Sequence, residues 1–263
     1  MARHSDTTSR HNAPAAGSNR TVRLARSLLG ALFFFAYGLG GLLIGGLLLP
    51  FFLMARARTR RRVIQTAYRL FIAAARLTRL FDVRLSPEDR HRLAHLRGRV
   101  VVANHITLID VVILMALLPD ATALAKSAAS RNFFYAWIVR GVFLINDDPA
   151  GLRQDAARLL ANGVNVIVFP EGTRTPADAP ARKLHRGAAQ IALHARAPLQ
   201  PVFLTCTPPV LGKHQPWYQL ADRPIVWHVA VRPELPLPPP SSDAVLRREA
   251  VTLTNTISHT LWS

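Results

Sequence analysis

The longest feature of the hydrophobic pattern is an apolar run without any charged residue from Ser27 to Ala55. Its 29 residues exceed the roughly 20 that a helix needs to cross the hydrocarbon core of a bilayer, and they are too few for two spans. We therefore predict a membrane-anchoring helical region over residues 21–80, preceded by a disordered basic tail over residues 1–20. A buried core helix is the alternative interpretation of the run.

A second periodic segment, from Thr59 to Leu80, predicts an amphipathic helix. Its apolar positions, which recur at the spacing of one helix face, are Val63, Ile64, Ala67, Leu70, Phe71 and Ala74. Arginines lie among them, and a basic amphipathic helix directly after an apolar one is typical of a segment that lies on a bilayer surface. An ordinary surface helix of a globular domain fits the same pattern.

From residue 81 onward, short apolar runs alternate with helical patterns. This alternation predicts an α/β domain over residues 81–263, with a mixed, mainly parallel sheet covered by helices. The clearest helix runs from Pro149 to about Ala161, with Asp147 or Asp148 as its N-cap. A closing helix is predicted over Ser241 to Trp262. The predicted strands are Val100 to Ala103, Ala121 to Ala125, Val142 to Ile145, Val164 to Phe169, Pro201 to Thr205 and Ile225 to Val231.

The charge balance points to an anionic partner. The chain has 33 Lys and Arg against 15 Asp and Glu, for a net charge of +18. Nucleic acid, an anionic membrane surface and an acidic or phosphorylated substrate would each fit this excess. We expect no nucleic-acid partner, because no helix-turn-helix, zinc or RNA-binding motif occurs. The single cysteine, Cys206, excludes an intramolecular disulfide, and no ligand spacing predicts a metal.

The first candidate for chemistry lies where a strand gives way to a helix. The run Val100 to Ala103 is followed by Asn104 and His105, and Asp110 comes at the start of the next helical pattern. If His105 is in the loop and Asp110 is in the first turn of the helix, the imidazole can fold back onto the carboxylate. The carboxylate would hold one tautomer, which makes the imidazole a general base. A histidine and an aspartate at this spacing also occur together by chance.

A second candidate follows the strand that ends at Phe169. Gly172 allows a tight turn with positive φ, and Thr173 and Arg174 offer a hydroxyl and a guanidinium to a phosphate. Glu171 can hold Arg174 or meet a substrate hydroxyl. Downstream, Lys183 and Arg186 lie at the start of a helix and can add charge to an anion site. An exposed turn and a solvated helix face are the alternative interpretations.

Together these blocks resemble the glycerolipid (lysophospholipid) acyltransferase family, which includes bacterial 1-acylglycerol-3-phosphate acyltransferases. The resemblance covers about residues 100–205 and implies that His105 is the general base and that Asp110 orients it. It implies that the phosphorylated acceptor is bound by the block that begins at Glu171. Asn104 is a further candidate for substrate contact, and Thr107 is a weaker one. It further implies direct attack of a hydroxyl on an acyl thioester, either acyl-CoA or acyl carrier protein, without a cofactor.

One block departs from the family pattern. Asp147 stands where the family commonly has a phosphate-binding arginine, and Arg140 could replace that charge only if it pointed inward. The acceptor is therefore either 1-acylglycerol-3-phosphate or a different lyso-lipid or hydroxyl acceptor of a divergent branch. A membrane-anchored lipid-binding protein without catalysis is the competing hypothesis.

The arginines on both sides of the apolar run favour, weakly, a catalytic domain on the cytoplasmic face of a bacterial inner membrane. Membrane lipid and the thioester donor are the expected partners. The oligomeric state stays open.

Overall fold

A single mixed sheet forms the centre of the protein. The computed structural model describes residues 20–131, 136–176, 179, 183–239 and 243–262, and over these residues seven strands lie in one sheet. The strands are β1 Phe81–Arg84, β2 Val100–Ala103, β3 Ala121–Ala125, β4 Leu144–Ile145, β5 Asn165–Val168, β6 Leu199–Thr207 and β7 Ile225–Val231. Their order across the sheet is β1-β7-β6-β2-β5-β3-β4.

Helices connect and cover the strands. They are α1 Arg20–Met54, α2 Ala57–Leu77, α3 Pro87–His95, α4 Asp110–Leu117, α5 Ser127–Ser130, α6 Ala136–Val142, α7 Pro149–Ala161, α8 Gly187–Ala195 and α9 Asp243–Trp262. Residues 1–19 of the predicted tail lie outside the described residues.

All neighbouring strands run parallel except β6 and β7, which pair antiparallel. This confirms the predicted mixed, mainly parallel sheet. In the register of β2 and β5, Val102 lies opposite Val168, so the two strands end side by side. Loops that leave neighbouring carboxyl ends of a parallel sheet meet at one edge, which is where ligands bind in open α/β folds.

The sheet carries a hydrophobic core on each face. On one face, Phe71 of α2 and Ile113 of α4 pack with Trp227 of β7. On the other face, Ala156 of α7, Ile191 of α8 and Ile257 of α9 pack on the central strands. Both faces of β2 and β5 are therefore buried, which explains the apolar sequence of β2 and of Val166 to Val168 in β5.

Three of the predicted strands, β2, β3 and β7, have the predicted bounds. The strand predicted over 142–145 is shortened to β4, because Val142 ends α6. The strand predicted over 201–205 extends at both ends in β6. Strand β1 was not predicted. It has only four residues, and Asp82 and Arg84 alternate with its apolar ones, so it lacks the continuous apolar run of a central strand.

Helix α1 contacts the domain near both of its ends. Arg26 donates a hydrogen bond to the carbonyl of Arg79 over 2.9 Å, and the rings of Phe52 and Trp137 lie 5.0 Å apart. Within the described residues, Arg20–Gly40 is the one helical segment long and apolar enough to cross a membrane by length and composition. Its outward face carries exposed leucines, including Leu24, Leu28 and Leu32.

Helix α2 belongs to the layer that covers the sheet. Arg61 Nε donates to Asp120 Oδ1 over 2.6 Å, and buried Gln65 Nε2 donates to the carbonyls of Met115 and Leu118. Ile64 and Phe71 lie in the core. The predicted amphipathic helix is thus confirmed, and one of its faces packs as in a globular domain. The predicted boundary after residue 80 therefore falls between α2 and the residues on which α2 packs.

Candidate active site

His105 and Asp110 lie together, as the sequence predicts. His105 is in the loop after β2, Asp110 is the first residue of α4, and His105 Nδ1 lies 2.9 Å from Asp110 Oδ2. A carboxylate oxygen only accepts, so Nδ1 carries the proton and donates it in this bond. Nε2 is then left with a lone pair that can accept a proton.

The Asp110 carboxylate is buried, and hydrogen bonds to both of its oxygens offset the cost of burying it. Its Oδ2 also accepts from the backbone N–H groups of Ile106 and Thr107, each over 2.7 Å, and its Oδ1 accepts from the Thr107 hydroxyl. Its position at the N-terminus of α4 adds the favourable end of the helix dipole. Charge-assisted bonds of this kind hold the carboxylate in one orientation.

Asn104 and Thr107, two of the candidates for substrate contact, are both buried and bonded within the protein. The buried Asn104 amide donates to the carbonyl of Leu204 over 2.8 Å and accepts from its N–H over 2.7 Å. The buried Thr107 hydroxyl accepts from Trp227 Nε1 over 3.2 Å. Both polar side chains are engaged by the protein, so they position the loop and its carboxylate.

The loop after β5 is tied to the His105 loop. Buried Glu171 accepts the His105 backbone N–H on Oε1 over 3.1 Å, and Thr175 N–H donates to the His105 carbonyl over 2.7 Å. The Phe169 ring stacks on the imidazole with centroids 4.4 Å apart. Glu171 therefore supports the histidine backbone, a role that the sequence did not predict.

Gly172 and Arg174 shape the remainder of this loop. Gly172 has φ +64°, as its predicted turn requires, and a Cβ there would lie 3.0 Å from the ring of His185. Arg174 Nη1 donates to the carbonyls of Leu211 and Gly212, each over 3.0 Å. These bonds anchor the guanidinium beside the histidine loop.

A cavity of about 850 Å³ opens in front of these loops. Its described wall has no carboxylate, and an anion would find four cations there, namely Lys126, Arg153, Arg174 and Arg186. Both His105 and His185 line it, together with apolar residues such as Leu108, Leu152 and Ile191. Apolar walls with a few polar groups are typical of ligand sites, and this combination suits an amphiphile with an anionic head.

The wall differs in part from the predicted set. Gly172, Thr173, Arg174 and Arg186 line the cavity, whereas Lys183 is exposed and absent from the described wall. Lys126, Arg153 and His185 were missed. Lys126 directly follows β3, and a cation at a strand's carboxyl end was a usable signal. Arg153 lies within α7 and had no such signal.

Asp147 and Arg140, from the block that differs from the family pattern, do not lie on the described cavity wall. Both residues are exposed. Asp148 is the N-cap of α7, accepting from Ala150 N and Gly151 N, which decides between the two predicted caps. Arg153, one turn into α7, brings a cation to the wall near this block.

Cys206 is not suited to nucleophilic catalysis. Burial raises the pKa of its thiol to about 12, so the thiol is protonated at neutral pH. Among the described residues, no group of three or more His, Cys, Asp or Glu side chains is placed to hold a metal ion.

Comparison with known proteins agrees with this geometry. Residues 84–205, which include both loops, match the family model described as Acyltransferase. They form a domain of the acyltransferase family. The resemblance to the acyltransferase family inferred from the sequence is thus confirmed for this part of the chain.

Relatives of the acyltransferase domain act on lipids by name. A 1-acyl-sn-glycerol-3-phosphate acyltransferase alpha from Mus musculus is 25% identical over 69% of this chain and 64% of its own length. A lyso-ornithine lipid O-acyltransferase from Pseudomonas aeruginosa is 32% identical over 48% of each chain. The chain thus spans less than two thirds of these relatives.

A solved structure shares the fold. The crystal structure of the 1-acyl-sn-glycerophosphate (LPA) acyltransferase PlsC from Thermotoga maritima matches with a TM-score of 0.63 and 22% identity. The match covers 89% of this chain and 96% of that one. It includes α/β sheet and helices alike, which confirms the fold class.

Substituting Gly172 by alanine is expected to cost stability and acyl transfer together. The left-handed backbone costs about 1–2 kcal/mol with a Cβ, and the His185 ring must also move. Gly163→Ala is the matched control, because Gly163 has φ +78° and open space around its Cβ position. Thermal unfolding should show a loss in both variants, and a turnover assay should show a loss only in Gly172→Ala. Wild-type turnover in Gly172→Ala would contradict this.

Trp227 is expected to position the acyltransferase dyad through Thr107. Trp227→Phe keeps an aromatic ring beside Phe81 and removes the N–H that donates to Thr107. Losing that buried bond should destabilise the fold by about 1 kcal/mol, and the space left by the smaller ring adds to this loss. The value of kcat should fall while KM changes little, since Thr107 holds Asp110. The test is a double-mutant cycle with Thr107→Val. If Trp227→Phe lowers kcat equally in both backgrounds, the two residues are not coupled.

Proposed function

We propose that this chain is a membrane-attached O-acyltransferase. It would move a fatty acyl group from a thioester donor, acyl-CoA or acyl carrier protein, to the hydroxyl of a lysophospholipid such as 1-acylglycerol-3-phosphate. One observation carries the proposal: His105, which is bonded to buried Asp110, lies on the wall of a cavity that has four cations and apolar residues. A general base that can deprotonate a hydroxyl therefore lies beside cations that can bind a phosphate.

In the proposed reaction, His105 Nε2 takes the proton of the acceptor hydroxyl. The hydroxyl oxygen attacks the thioester carbonyl carbon and forms the new ester bond. The carbon–sulfur bond breaks, and the leaving thiolate takes up the proton from His105. Asp110 stabilises the imidazolium between these steps through Nδ1.

The other residues would contribute binding and alignment. Arg174, Arg186, Arg153 and Lys126 line the cavity and would hold the phosphate of the acceptor. Fixing the phosphate places the hydroxyl of the same molecule against His105, and alignment of this kind contributes a large part of enzymatic rate enhancement. The direct transfer needs no cofactor.

The membrane attachment is supported by α1. Its apolar residues Leu24, Leu28, Leu32 and Phe35 are exposed although the helix packs against the domain with Phe33 and Phe34. A lipid environment would cover that outward face. We place the cavity side of the domain at the cytoplasmic face of a bacterial inner membrane, because Arg20, Arg23 and Arg26 and a second arginine cluster flank the apolar run.

A second acceptor class is supported by two observations. One relative is named as a lyso-ornithine lipid O-acyltransferase, and Asp147 replaces the cation that the resemblance leads us to expect. The test is purified protein in neutral mixed micelles with labelled acyl-CoA or acyl carrier protein. Each of 1-acylglycerol-3-phosphate, lysophosphatidylcholine and lyso-ornithine lipid is offered as acceptor, and products are identified by mass spectrometry.

We expect the strongest product from 1-acylglycerol-3-phosphate, because the cavity wall is rich in cations. A stronger product from lyso-ornithine lipid would select the second acceptor class. Binding of all three lipids without any acyl product would overturn the proposed catalysis and leave a lipid-binding protein.

A further inference from the structure

A second cavity, of about 870 Å³, lies between α2, α3 and β1. Four arginines line it, namely Arg69, Arg76, Arg79 and Arg90, and Asp82 is the one carboxylate on its described wall. Its lining has no residue in common with that of the active-site cavity. The excess of positive charge points to an anionic ligand.

This cavity is separate from the proposed acyl-transfer site. Asp110 begins α4 beside His105, whereas Ala116 and Leu117 at the other end of α4 line the second cavity. Seven helical steps of about 1.5 Å separate Asp110 from Leu117 by roughly 10 Å along the helix. The second cavity is therefore not an extension of the first.

The arginines of the second cavity are only partly neutralised. Arg69 donates to the carbonyls of Ala116 and Leu118, and Arg76 lies 3.6 Å from Asp82. In the part of the chain that the structure describes, neither Arg79 nor Arg90 has a carboxylate within 4.0 Å. A phosphate group would supply the missing counter-charge, and guanidinium groups bind phosphate with matched geometry.

The cavity also opens onto an apolar stripe. Val63, Leu70 and Leu77 of α2 are 51%, 65% and 86% exposed, and their spacing of seven residues places them on one helix face. Leu77 lines the cavity, together with Ile72 and Leu93. A small soluble anion would make no use of this stripe, whereas the acyl chain of a lipid would cover it.

We propose that the second cavity binds one anionic phospholipid of the surrounding bilayer. Its phosphate would lie on Arg79 and Arg90, and an acyl chain would follow Leu77 onto the stripe of α2. This goes beyond the proposed acyl transfer, because the lipid is held and not consumed. The bound lipid would tether α2, which packs on α4 and so on the helix that begins with Asp110.

The test measures binding directly, with no acyl donor present. The full chain in neutral maltoside micelles at fixed low ionic strength is titrated with dihexanoylphosphatidylglycerol, dihexanoylphosphatidylcholine or inorganic phosphate. The charge-removing variant is Arg79→Gln/Arg90→Gln. The matched control is Arg247→Gln/Arg248→Gln, which removes the same charge from two exposed positions on α9.

We expect the anionic lipid to bind at least about tenfold more tightly than the zwitterionic one. The Arg79/Arg90 variant should lose about tenfold in affinity for the anionic lipid, and the control variant should keep the wild-type affinity. Equal loss in both variants, or equal binding of the two lipids, would overturn the proposal. Displacement of the anionic lipid by equimolar inorganic phosphate would also overturn it, since it would show an anion site without a chain subsite.

This result is independent of the acyl-transfer proposal. The Arg79/Arg90 variant should retain wild-type turnover in neutral micelles, because neither arginine lines the active-site cavity. If no acyl transfer is found for any protein, the binding measurement still decides the lipid site.

Discussion

Replacing His105 with alanine is expected to lower acyl-transfer turnover by about 10²–10⁴-fold, the usual contribution of a general base. The described cavity wall holds one other histidine, His185, and it has no carboxylate partner within 4.0 Å among the described residues. The fold should survive, because the His105 side chain is 21% exposed at the cavity wall and its removal leaves space for water. The measurement is turnover with a labelled thioester donor at saturating acceptor.

The matched control for this substitution is His194→Ala. His194 is exposed on α8 and does not line the described cavity, so its removal should leave turnover unchanged. Full activity in the His105→Ala protein would show that the hydroxyl is deprotonated by another group and would remove the central argument for the proposed mechanism.

Asp110→Asn is expected to damage both activity and stability. Asp110 accepts bonds from Ile106 N, Thr107 N, the Thr107 hydroxyl and His105 Nδ1. An asparagine must turn its NH₂ group toward at least one of these donors, which leaves buried donors unpaired at about 1–3 kcal/mol each. The imidazole also loses the negative charge that stabilises its protonated form, so turnover should fall by about 10²–10⁴-fold.

Two measurements separate these effects. Thermal unfolding gives the loss of stability, and turnover is then measured at a temperature where the variant is fully folded. Asp147→Asn is the control, because Asp147 is exposed and absent from the cavity wall. If turnover of Asp110→Asn recovers completely once the variant is folded, the carboxylate is structural only.

The strands at the centre of the sheet were predictable because a strand that is buried on both faces has a continuous run of apolar residues. Val100 to Ala103 and Val166 to Phe169 are apolar without interruption. The first run ends at Asn104, and the second ends at Pro170 and Glu171. Since carboxyl ends of parallel strands meet at one edge, the position of the site followed from these boundaries. The edge strand β1 alternates polar and apolar residues over four positions and left no comparable signal.

The layer behind the dyad was not predictable. Trp227 meets Thr107 across 120 positions of sequence, and Asn104 meets Leu204 across 100. No local pattern encodes such contacts, because each depends on how β6 and β7 are placed beside β2. For the same reason the sequence did not show that Glu171 holds the His105 backbone or that Arg153 reaches the cavity.

By itself, the sequence determined the α/β class, the family resemblance, the apolar N-terminal helix and the two loops that carry His105, Asp110 and Arg174. These features depend on short-range periodicity and on residue order, which can be read directly from the sequence. Only the tertiary structure decided which polar side chains face the cavity and which are buried and hydrogen-bonded within the protein. That distinction depends on burial and on hydrogen-bond partners distant in sequence, and both exist only once the sheet is assembled.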